Sequence, residues 1–107
     1  MNKEKLNDKV IEELKKVYDP ELPLNLYDMG LFYNIDFGEE SDGKIACQIT
    51  MTLTSPGCPV SEHLVNRVYE VIGTIPELDN VYVELTFEPP WNESMMSEDA
   101  RIQMAMM

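Results

Sequence analysis

Residue types that build metal cages and phosphate loops are scarce in this 107-residue chain, which has two cysteines, one histidine and five glycines. Cys47 and Cys58 form no CxxC pair and are too few for a zinc cage of thiolates. There is no glycine-rich phosphate loop and no HExxH. Basic residues are also few: eight Lys and Arg stand against 20 Asp and Glu, a formal net charge of −12. That balance repels nucleic acid and anionic membranes but suits basic protein partners. No apolar run approaches the ~20 residues of a membrane span, and the opening MNKEKLNDK lacks the apolar core of a signal peptide. The expectation is a cytoplasmic protein with no membrane and no nucleic-acid partner. With 44% hydrophobic residues, one domain over 1–107 can build a packed core without disulfides.

What is present has clear periodicity. Leu6, Val10, Ile11, Leu14 and Val17 recur at helical spacing and predict a helix over 3–18, with Glu12 and Lys16 as a supporting pair. Pro20 and Pro23 end it and open an irregular segment over 19–30. Leu31, Tyr33, Ile35 and Phe37 then alternate with Phe32, Asn34 and Asp36, and GEESDG at 38–43 turns the chain. A second strand over about 44–53 buries Ile45, Cys47, Ile49, Met51 and Leu53 and turns Gln48, Thr50 and Thr52 outward. Pro59 suits the start of a second helix, whose stripe is Val60, Leu64, Val68, Val71 and Ile72. Val81, Val83, Leu85 and Phe87 mark a third strand, and Ser97 caps a short helix to about Met106. The order α-β-β-α-β-α predicts an α/β two-layer sandwich. Its small mixed three-stranded sheet has helices on one face, and a right-handed crossover sets the third strand parallel to its neighbour.

Cys58 is the sharpest chemical candidate. It follows a Pro-Gly turn and precedes a helix whose free N–H groups would stabilise a thiolate, although Glu62 one turn later opposes that effect. Position alone leaves it open between a reactive thiol and a structural cysteine. Cys47 reads as core. His63 lies five residues beyond Cys58, off its helical face, so a Cys-His pair is poorly supported. Asp19, Glu21 and Asp28 surround the proline-rich turn, where Asp bonds its own backbone, and the same residues could line a site. Thr50, Thr52 and Thr54 lead toward Cys58 and would set hydroxyls beside it, or simply favour the strand. Trp91, after Pro89-Pro90, could anchor its own tail or contact a partner. Five of the eight methionines fall in the last 13 residues, an adaptable contact surface.

DPELPLNLYDMGLFY at 19–33, MTLTSPGCP at 51–59, TFEPPW at 86–91 and MSEDAR at 96–101 together resemble the metal-sulfur cluster assembly factor family, which includes SufT-like and PaaD-like proteins. The resemblance spans nearly the whole chain, and the ordered set of four segments is far more specific than any one of them. It implies a small iron-sulfur cluster assembly domain that matures iron-sulfur proteins rather than turning over a metabolite. It aligns the family's motif cysteine with Cys58, its acidic loop with Asp19, Pro20 and Glu21, its threonines with Thr52 and Thr54, and the next motif residues with Asp28 and Gly30. Cys47 lies outside these motifs, and the ending IQMAMM departs from the family's leucine-glycine-methionine ending.

The implied role is an accessory factor with no stably bound cofactor. A transient iron-sulfur cluster or iron would be held at Cys58 with ligands from elsewhere, because one thiolate cannot hold a cluster alone. The implied partners are assembly or carrier proteins and recipient apoproteins, and the polar outer sheet face and strand edges allow a homodimer. Two other readings stay open: a thiol-dependent redox or transfer enzyme, which lacks a resolving cysteine, and a pure interaction module docking through Trp91 and the methionine-rich tail.

Overall fold

A computed structural model of the chain describes residues 2–19, 24–54 and 61–106. Helix α1 (Lys3–Leu14) begins where the Asn2 side chain accepts from the Lys5 N–H at 3.1 Å, and it buries Leu6, Val10 and Leu14. It stops four residues short of the expected end. The N–H groups of Lys16 and Val17 reach back only three residues, to Glu13 and Leu14, and this tighter turn releases the Val17 carbonyl to accept from Leu26 N–H at 2.8 Å. Lys16 consequently pairs with Glu13 at 2.9 Å and not with Glu12, since the helical i,i+4 geometry no longer exists there. Val17 remains buried, now against the loop that follows.

Strands β1 (Phe32–Glu39), β2 (Ile45–Met51) and β3 (Asn80–Leu85) form one sheet in the order β1-β2-β3, with β1 antiparallel and β3 parallel to β2. Gly43, at φ +82°, closes the β1–β2 hairpin. Asp79 ties β3's approach to β2 twice: its N–H donates to the Ile45 carbonyl and its carboxylate accepts from the Ile45 N–H, both at 2.8 Å. Helix α2 (Ser61–Ile72) makes the crossover, and Leu64, Val68, Val71 and Ile72 join α1 and the sheet residues Phe37, Cys47, Ile49 and Met51 in one core. Asn34, Asp36, Gln48, Tyr82 and Glu84 lie exposed on the opposite face. Glu40 accepts from the Tyr82 hydroxyl there, and its charge raises the phenol above its ordinary value. The architecture is therefore the expected α/β two-layer arrangement, with a 3-10 turn at Glu93–Met95 and helix α3 (Glu98–Ala105), capped by Ser97, added at the end.

Two expected orientations are corrected. The β1–β2 register shifts between Phe32 and Asn34, so Phe32 pairs with Met51 and packs against the core instead of facing outward. Tyr33, the extra residue, is only half-buried and sends its hydroxyl to the Pro89 carbonyl at 2.7 Å. Thr52 is fully buried rather than solvent-facing. Met51, Thr52 and Leu53 are buried in succession, which a strand with one wet face cannot give; past the end of β2 the chain is enclosed on both sides. Among the described residues, no helix is long and apolar enough to cross a membrane.

Two predictions follow from the packing. Gly30 has φ +80°, and a Cβ there would overlap the Met95 carbonyl group, with its carbon at 2.7 Å. Gly30→Ala should cost about 3 kcal/mol in urea unfolding, from left-handed strain plus steric overlap, while Gly38→Ala, with open space around it, should stay within about 0.5 kcal/mol. Cys47 is fully buried, and burial first and Asp36's charge second push its thiol up to about 11 from 9.0. The folded chain thus holds this proton more tightly than the unfolded chain. The stabilisation is complete below about pH 9 and lost toward pH 11. Stability measured from pH 8 to 11 should fall more steeply in the wild type than in Cys47→Ala. At pH 8, peptide mapping after alkylation should show Cys47 reacting at least about 100-fold more slowly than a model thiol, because burial adds to the raised pKa.

Candidate functional site

The segment after α1 folds back on itself. The Asp19 N–H donates to the Leu24 carbonyl at 3.0 Å, Tyr18 bridges Asn25, and Leu26 bonds Val17, making a small antiparallel ladder that brackets residues 20–23. Leu24, Leu26, Met29 and Leu31 are buried and fix this segment to the core. The turn that follows is built by a reciprocal pair. The Asn25 side-chain oxygen accepts from the Asp28 N–H at 2.8 Å, and the Asp28 carboxylate accepts from the Asn25 amide at 2.7 Å. Asp28 is therefore a turn-builder whose side chain stays half-buried at the surface. Asn25 is the site residue missed from the sequence, although Asn followed three residues later by an acid is the spacing of a reciprocal cap.

Three distant parts of the chain then bond to this turn. Thr52 N–H donates to the Leu31 carbonyl at 2.8 Å, Trp91 Nε1 to the Met29 carbonyl at 2.6 Å, and Ser97 N–H to the Asp28 carbonyl at 2.8 Å. Thr86 N–H adds a bond to the Met51 carbonyl at 2.8 Å, carrying β3's exit alongside β2's. The described parts of all four motif-bearing segments, 19–33, 51–59, 86–91 and 96–101, thus meet at one end of the sheet, where β1 begins and β2 and β3 finish. This explains the tail's docking: Met96 and Ala100 are buried, and Met95 lies against Gly30 and the Tyr33 hydroxyl.

The candidate residues are placed unequally. Asp19 and Asp28 lie half-buried at this end, and Thr54 is exposed where the chain leaves it. Thr52 keeps its hydroxyl within the backbone, donating to the Leu53 carbonyl at 3.4 Å, so it offers structure rather than an open donor. Trp91 uses its N–H on its own chain and packs against the core, which makes it the tail's anchor. His63 is exposed on α2. Cys58 and Glu21 lie outside the described residues, as do Pro59 and Val60. Among the described residues, no group of three or more His, Cys, Asp or Glu side chains is arranged to hold a metal ion.

The family model described as "Iron-sulfur cluster assembly protein" matches residues 7–85. Over 106 residues the chain is 42% identical to an Fe-S protein maturation auxiliary factor of Porphyromonas gingivalis, covering 97% of each chain. It is 37% identical over 86 residues to the Fe-S protein maturation auxiliary factor SufT of Staphylococcus aureus, covering 80% of this chain and 93% of that one. A crystal structure of a domain of unknown function from Bacillus anthracis superposes with a TM-score of 0.83 at 33% identity, covering 98% and 96% of the two chains. The match to the P. gingivalis protein extends across the tail segments beyond residue 85, so the likeness includes the whole convergent end of the sheet. The chain belongs to the iron-sulfur cluster assembly protein family.

Proposed function

We propose that this protein is an accessory factor in iron-sulfur cluster assembly and the maturation of iron-sulfur proteins, acting through Cys58 as a transient ligand or contact thiol. The observation that carries this reading is the convergence of the four motif-bearing segments at one end of the sheet, held by bonds to the carbonyls of Asp28, Met29 and Leu31. Cys58 follows Thr54, at that end, by four residues. One cysteine is suited to passing a cluster on, because a four-ligand cluster held by one thiolate of this chain must take its other ligands from a carrier, a recipient or a second subunit. The cluster is cargo in this reading. The maturation-factor names of the full-length relatives support the same role.

Asp19, Glu21, Asp28 and Thr54 form the supporting set, with oxygen groups that orient the loop or contact the cargo. Thr52 belongs to the set only as a buried backbone partner. The partners are iron-sulfur carriers and recipient apoproteins, and the working compartment is the cytoplasm. The acidic surface, at a net −12, fits docking to less acidic proteins.

In a strain lacking this gene, wild type should restore the activity of an iron-sulfur enzyme such as aconitase, and Cys58→Ser at matched protein level should not. Rescue by both would remove the thiol from the mechanism, and an undiminished aconitase activity in the deletion strain under iron limitation would overturn the maturation role. Asp28→Asn should leave unfolding within about 1 kcal/mol of wild type, because an amide oxygen can still accept from Asn25. Its rescue should drop if the charge contacts cargo or partner, whereas an unchanged rescue assigns Asp28 to the turn alone.

A further inference from the structure

Beside the convergent end lies a solvent-open cleft of about 420 Å³, lined by Tyr18, Asn25, Asp28, Asp99, Ile102 and Gln103. Its walls come from the ladder after α1 and from α3, the two elements that the Asp28–Ser97 bond joins. Two of the six large hydrophobic side chains exposed among the described residues line it: Tyr18, 58% exposed, and Ile102, 50% exposed. Two carboxylates, Asp28 and Asp99, line the same cleft, and none of its described lining residues is cationic. Ser97 places the N-terminus of α3 here, but a helix end contributes only about half a positive charge, less than the two carboxylates contribute negatively. The cleft is too open to enclose a small molecule, which pockets do by burying most of the ligand surface.

We propose that this cleft docks a partner polypeptide through a segment carrying a lysine or arginine flanked by apolar side chains. The cation sits between Asp28 and Asp99, and the apolar neighbours cover Tyr18 and Ile102. Charge complementarity selects this occupant over a second copy of the chain, which at net −12 would bring mostly like charge to the cleft. The inference deepens the maturation role by giving the assembly end a means of holding its client, and rests on that role only for the client's identity.

Peptide binding tests it without any cluster chemistry. Fluorescence anisotropy of a labelled peptide with a Leu-Lys-Leu core, titrated with full-length protein at low salt, should give a Kd of about 0.1–0.5 mM, with Glu in place of Lys abolishing binding. Asp99→Lys should weaken it about tenfold and Ile102→Ser about threefold, both at exposed positions of α3 where circular dichroism verifies folding. Amide shifts on the labelled protein should fall on residues 18, 25, 28, 99, 102 and 103. Spermidine, a cation without apolar flanks, should compete at least tenfold less well. No binding up to 1 mM, equal binding by Asp99→Lys, or shifts confined to the acidic outer sheet face around Asp36, Glu40 and Glu84 would overturn the proposal. A chain in which Cys58→Ser still rescues aconitase yet binds the peptide would instead overturn the thiol mechanism alone.

Discussion

Three closely spaced carbonyls hold together the end of the sheet where the motif-bearing segments meet. Asp28, Met29 and Leu31 lie in the loop at 24–31, and each of these carbonyls takes its hydrogen bond from a different distant segment. An unsatisfied carbonyl at such a place would cost about 1–3 kcal/mol, so the end of β2, the loop after β3 and the cap of α3 are all bound to the same turn. The constraint runs in both directions. The turn's carbonyls take those donors, and the donors' segments are fixed by them together with the Tyr33–Pro89 and Thr86–Met51 bonds. Gly30 completes the arrangement, since only a residue without a Cβ lets the Met95 backbone approach.

Electrostatics contributes little to folding. All five ion pairs among the described residues have at least one exposed side chain, where such pairs are worth at most about 1 kcal/mol. Stability rests on the single apolar cluster, into which α1, α2, the inner sheet face, the loop at 24–31 and the tail residues Met96 and Ala100 all reach. The surplus of acid is thereby left free to shape the surface, including the outer sheet face and the cleft beside α3.

Periodicity made the elements legible. The stripes of α1 and α2, the alternation of the strands and the Ser97 cap all correspond to structure, because each reports a local geometric repeat. Events one residue long escaped. The register shift at Tyr33 leaves the pattern of apolar residues intact while reversing which face Phe32 joins, and the enclosure of Thr52 depends on what lies beyond the strand. Residue type marks Asp28 as a turn former or a site-lining acid, and its reciprocal bond to Asn25 follows a local spacing, whereas the attachment of Trp91 to Met29 joins residues whose proximity only the tertiary fold creates. The resemblance grouped the right segments without saying that they converge.

The crossover helix has an effect on the sheet's margin. The Tyr69 hydroxyl, projecting from α2, accepts the Val83 N–H at 3.1 Å and so occupies a position where an incoming strand would seek its first ladder bond. Adding a strand beside β3 would require expelling that hydroxyl and repacking the helix that carries it, which gives this border of the sheet a built-in resistance to runaway strand stacking.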